Sequence, residues 1–287
     1  MREISIHLPK EEYSPGERVE GHAIVVCDDD FDCESVNLVF SCTEQSRVVV
    51  GSGKHRRVFL EKFEYFAYYL EIFNQSTVME GETRFEFAFE LPKESVSSFE
   101  GTYSWIRYEI KGKIEVKWAL DPKTERRIVV TAPPKESVEL EQTMIQKEIS
   151  NEGRHLLRVE LDSDTVRRGD YIRFRYLVGS DTNIRGVRAE LILREKVSPQ
   201  GRDTNNDNEM DQQYWEEDKI LRESWVDVTV KTGEEWPEAF KSNLIDYLYI
   251  LKITLDIPWR LDKSIEIPLK LRREARQDEF STSIFDF

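Results

Sequence analysis

From Ile106 onward the chain alternates. Ile106, Tyr108, Ile110, Ile114, Val116 and Trp118 fall on one parity, and Arg107, Glu109, Lys111, Lys113, Glu115 and Lys117 fall on the other. A repeat of two is the periodicity of an extended strand, whose successive side chains point to opposite faces, and not the 3.6-residue repeat of a helix. A strand with one apolar and one charged face belongs to an antiparallel sheet that packs one side on a second layer and shows the other to water. The same alternation predicts strands over residues 2–8, 19–26, 36–42 and 126–131, and another in which Phe85, Phe87, Phe89 and Leu91 point inward. Pro92 ends that last strand, because proline has no amide to give to a ladder. The predicted fold class is all-β, built as a sandwich.

The second half repeats this plan. Strands are predicted over residues 156–161, 187–193, 247–257 and 265–271, and Ile172, Phe174, Tyr176 and Val178 alternate with Arg173, Arg175 and Leu177. The turn Ser14-Pro15-Gly16-Glu17-Arg18 is echoed by Arg167-Arg168-Gly169-Asp170, each feeding a strand. A repeat of this length predicts two related, immunoglobulin-like antiparallel sandwiches in tandem. Ala132-Pro133-Pro134-Lys135 has the composition of a semi-rigid connector. The expected layout is a first sandwich over residues 1–132, a linker and lead-in over 133–153, a second sandwich over 154–273, and a flexible or strand-adding tail over 274–287. Residues 28–32 read as an exposed acidic loop, residues 198–218 as a polar surface loop or disordered insertion, and residues 137–149 as either a helical piece or a strand.

Composition narrows the function. A net charge of -15 over 287 residues argues against nucleic acid as a partner, since phosphate binding needs a cationic surface, although local basic patches remain compatible with it. No apolar run approaches the ~20 residues of a membrane helix, and the start lacks the apolar core of a secretory signal, so a cytoplasmic protein is expected. Cys27, Cys33 and Cys42 lack the spacing of a disulfide framework or zinc site and read as reduced structural thiols. No histidine lies beside a serine or cysteine in a hydrolase pattern. Gly51-Ser52-Gly53-Lys54 lacks the upstream glycine and following hydroxyl of a phosphate loop. Asp203, Asn205, Asp207 and Glu209 alternate as calcium-loop ligands do, but the sixth position is Asn208 and the twelfth Tyr214. No catalytic, cofactor or metal residue is assigned.

The turn Tyr13-Ser14-Pro15-Gly16-Glu17, the run Gly81-Glu82-Thr83-Arg84-Phe85-Glu86-Phe87, and Ser97-Ser98-Phe99-Glu100-Gly101 leading into Ile106-Arg107-Tyr108 resemble the amino-terminal domain of arrestins, most nearly the α-arrestin branch. Residues 157–161, Gly169-Asp170-Tyr171-Ile172, Gly186-Val187-Arg188-Ala189 and residues 247–257 resemble the carboxy-terminal domain. The resemblance implies a non-enzymatic adaptor or scaffold that grips cytoplasmic parts of membrane proteins and recruits trafficking or signalling machinery, with peripheral membrane contact. Its wider clan supplies two alternatives: a coat-type subunit like the arrestin-fold subunit of retromer, and a structural or stress-response role like that of bacterial sporulation-control proteins. Lys54, His55, Arg56 and Arg57 fall where arrestins carry a receptor-probing finger. Lys10, Arg18 and Arg107 are candidates for an anion site. The tail residues Phe280, Ile284, Phe285 and Phe287 are candidates to add as a strand to a sheet edge, in this chain or a partner.

Overall fold

The structure is a computed structural model that describes residues 2–117, 120–132 and 144–272. It divides into two compact units, Met1–Pro133 with Val197–Asp203, and Pro134–Lys196 with Thr204–Phe287. The first contains strands β1 (Arg2–His7), β2 (Glu12–Tyr13), β3 (Arg18–Cys27), β4 (Phe31–Val50), β5 (Arg57–Val78), β6 (Gly81–Glu90), β7 (Phe99–Glu100), β8 (Ser104–Glu115) and β9 (Lys123–Val130). They form a three-stranded sheet in the order β1-β3-β6 and a six-stranded sheet in the order β2-β9-β8-β4-β5, with β7 also on β8. β2 joins β9 in parallel.

β8 is the alternating strand of the sequence, and its apolar parity faces the core, with Ile106, Tyr108, Ile110 and Ile114 each 2% exposed or less. Gly112 occupies the same parity because there is no room for a side chain. A Cβ there would lie 2.9 Å from Thr124 Cγ2 and 3.0 Å from Ile4 Cδ1, on the facing sheet. Phe40 and Phe89 meet across the sandwich with ring centroids 5.3 Å apart. Each fully buried side chain of this size stabilises the fold by about 1.5–3 kcal/mol relative to exposure.

The second unit contains β10 (Ile145–Asn151), β11 (Arg154–Leu161), β12 (Thr165–Arg167), β13 (Tyr171–Val178), β14 (Gly186–Val197), β15 (Thr204–Glu216), β16 (Val226–Lys231), β17 (Phe240–Lys241), β18 (Ile245–Asp256) and β19 (Lys263–Arg272). One sheet runs β10-β11-β13-β16 and the other β12-β19-β18-β14-β15, with β17 on β18. The chain is an all-β protein of two sandwich domains, and the duplication extends to single bonds. Phe99 pairs with Ile106 as Phe240 pairs with Tyr247. The buried Tyr108 hydroxyl donates to Val96 O at 2.6 Å, and that of Tyr249 to Pro237 O at 2.9 Å. Val116 N donates to Asp121 Oδ1 and Ile257 N to Asp262 Oδ1, both at 3.2 Å.

Several expectations need correction. Residues 204–216 are not a loop but the outer strand β15, so the Asp203 to Glu209 run is extended, and Asp207 is an ion-pair partner of Arg194 at 2.7 Å. Polar side chains do not prevent a strand at a sheet edge, and Met210 and Trp215 still pack inward on the core. The acidic loop is shorter than expected, because Phe31 and Asp32 already belong to β4. Residues 137–149 allow a helix or a strand by their sequence, and their described part from Ile145 on belongs to β10, which pairs with β11. The alternation of the sequence does not predict β5. Among the described residues no helix is long and apolar enough to cross a membrane.

Candidate functional site: a basic hairpin tip

β4 and β5 pair antiparallel out to Val50 with Arg57, and the six residues between them make the turn. Gly51 at φ 79° and Gly53 at φ 54° supply the left-handed backbone. A Cβ on Gly51 would sit 2.6 Å from His55 O, so glycine is the residue that fits. A single 3₁₀ turn over Gly53–His55 follows, closed by His55 N to Ser52 O at 3.1 Å and Arg56 N to Gly53 O at 3.3 Å. This compact turn leaves Lys54, His55, Arg56 and Arg57 all exposed.

Together with Val50, Phe59 and Arg202 they line a concave site of about 570 Å³. Arg202 comes from Val197–Asp203, the segment that belongs to the first unit. It is held there by Gln200, whose amide donates to Glu61 Oε2 and whose side-chain Nε2 donates to Leu60 O, both at 3.0 Å. Pro199 beside it is buried. Among the described residues the side chains of Lys54, Arg56, Arg57 and Arg202 make no ion pair. The site therefore presents four uncompensated cations around one concavity with apolar walls, suited to carboxylates or phosphates.

The other cationic candidates lie elsewhere and are already engaged. Lys10 is bonded to Glu17 and stands 4.7 Å over the Tyr13 ring. That lysine and the Ser14 amide hold the Glu17 carboxyl below the usual carboxylate range. Arg18 pairs with Glu20 at 2.8 Å. Arg107 takes Glu100 in a two-pronged pair at 2.5 and 2.8 Å, which raises its pKa further, and it stacks 4.4 Å over Trp105. Each of the three is held by a different glutamate. A second concavity of about 700 Å³ on the three-stranded sheet includes Arg18, His7, His22 and Arg84, but also Glu20 and Glu86, so its charge is mixed. Phe280, Ile284, Phe285 and Phe287 lie outside the described residues.

Of the expected residues the structure gathers Lys54, His55, Arg56 and Arg57, and adds Arg202. No local signal marked Arg202, because its place depends on a contact with β5 made far along the chain. Residues 2–135 match the family model of the arrestin (or S-antigen) N-terminal domain. No curated protein matches the chain.

Proposed function

We propose, on the premise that this is an arrestin-like chain, that it is a non-enzymatic adaptor whose β4–β5 tip receives an acidic segment of a protein partner, such as the cytoplasmic part of a membrane protein. The observation that carries this reading is the set of four cations without counter-charge at the tip of a chain whose net charge is -15. A localised positive field on an acidic body attracts a complementary anionic surface while the rest of the molecule repels it, and the attraction should weaken as salt is raised.

The test is affinity capture from membrane and soluble extracts, comparing the native chain with a double variant, Arg56→Glu and Arg57→Glu, and with the double variant Arg18→Glu and Arg84→Glu, both exposed and away from the tip, as a charge-matched control. The expected result is loss of partners with the tip variant only, and weaker capture by the native chain at high salt. Capture unaffected by reversal at the tip would sink the proposal. Recovery of one fixed soluble complex in place of varied membrane proteins would turn it toward a coat-type subunit.

A further inference from the structure

We infer that two copies of this chain pair through the outer edges of β5, antiparallel, joining their six-stranded sheets across a two-fold axis near Tyr69. The inference draws on three of the tip's cations but does not require the acidic partner proposed for them.

β5 ends its sheet, so among the described residues no strand covers its outer side. It runs for 22 residues, and a long open edge is a template for another strand. The equivalent outer strand of the second unit shows how this chain protects an edge. There β15 exposes Asn205, Asp207, Asn208, Glu209 and Gln212, and its exposed aromatic, Tyr214 at 47%, has its hydroxyl bonded to Asp256. β5 instead leaves Phe63 39%, Tyr68 41% and Tyr69 80% exposed. Gln200 covers β5 only at Leu60 and Glu61. The register with β4 passes over Tyr65 and Ile72, placing a bulge at each. The stretch between them, residues 66–71, is regular and carries Tyr68 and Tyr69. The straightest part of the edge is thus also its most exposed apolar part.

Charge selects the occupant. One end of β5 carries Lys54, Arg56 and Arg57, and the other end lies beside exposed Asp29, Asp30, Glu80 and Glu82, with Asp30 bonded to the Glu80 amide at 2.7 Å. An antiparallel copy turns each basic end toward the acidic end of the other. A parallel copy would set like charges together, and an acidic peptide would suit one end alone. The antiparallel pair is also isologous, so the association closes at two copies and does not extend into a fibre.

Sedimentation of the full chain, from low micromolar to several hundred micromolar and at low and high salt, should show mass rising from 33.9 kDa toward twice that value. Tyr69→Lys, at a position exposed enough to leave the fold intact, should weaken self-association at least tenfold. Tyr69→Cys should give one disulfide-linked dimer on mild oxidation, because the native cysteines are buried. A chain that stays monomeric throughout overturns the inference. So does a dimer that Tyr69→Lys leaves unchanged, or one in which Cys introduced at 69 fails to cross-link. Partner capture through the tip is read separately, since the position 69 variants leave all its cations in place.

Discussion

Removing one oxygen from Tyr108 tests the duplicated architecture. Tyr108 is 1% exposed, and its hydroxyl donates to Val96 O at 2.6 Å, tying β8 to the loop that leads into β7. Tyr108→Phe keeps the ring, so packing against Phe66, 6.0 Å away between centroids, survives, and what goes is the hydroxyl, with its bond to Val96 O and its contact with the Cys42 thiol. A lost bond of this kind costs about 0.5–1.5 kcal/mol, and an acceptor left dry adds to it. Val96 is half-buried, so its carbonyl is only partly recovered by water, and the expected loss is about 1–2 kcal/mol. Tyr249→Phe removes the matching bond to Pro237 O, but Pro237 is exposed and water can replace the donor, so about 0.5–1 kcal/mol is expected. Equilibrium denaturation of both variants gives the ordering, and amide exchange should show Tyr108→Phe loosening residues 95–98. If Tyr249→Phe proves the more damaging, or neither variant departs from the native chain by more than about 0.3 kcal/mol, water access to the acceptor is not what sets the cost.

Two further outcomes follow from the first unit. Gly21→Ala should lower stability by about 1–3 kcal/mol, because its Cβ would lie 2.5 Å from His7 O and 2.8 Å from Phe87 Cζ; thermal melting with the native midpoint retained would show that β1 and β6 can part cheaply. Burial pushes the Cys42 thiol up to about 12 from an ordinary 9.0, and the Tyr108 phenol is raised for the same reason. A group held protonated by the fold stabilises it fully below its unfolded pKa and loses that contribution as pH climbs toward the folded value. Urea midpoints should therefore hold to about pH 9 and fall between there and about 12, and Cys42→Ala should lose stability less steeply over that window. Parallel slopes for the two chains would remove Cys42 from the account.

The parts of the fold that were legible in the sequence are those where backbone period and burial keep step. β8 and β18 read plainly because one parity faces the core along nearly its whole length, only Tyr247 of β18 being half-buried, and because the apolar run of β8 is interrupted only at buried Gly112, where the facing sheet comes too close for any Cβ. β5 did not read as a strand although it is the longest in the chain. Each bulge, at Tyr65 and at Ile72, flips the side-chain parity, so aromatic residues fall on both sides and no period of two survives. β15 failed for the opposite reason. Its Asn, Asp and Gln side chains mask the pattern, its inward packing being limited to Met210 and Trp215, and the ladder with β14 completes the strand.

The site divides in the same way. That Lys10, Arg18 and Arg107 are cations was visible, but whether they are available depends on which carboxylate the register sets beside them, and for Arg107 it is β7 pairing with β8 that delivers Glu100. The tip differs because its isolation is written locally. Asp and Glu make up 56 of 287 residues, yet residues 45–60 contain none. Glu61, the next along, already accepts the Gln200 amide at 3.0 Å. With no acid inside the turn and the nearest one engaged, Lys54, Arg56 and Arg57 keep their field, and the fold strengthens it by bringing in Arg202. The contrast between a chain this acidic and a longest hairpin whose tip is free of carboxylates supports the proposed contact role for the tip over an ordinary solvated turn.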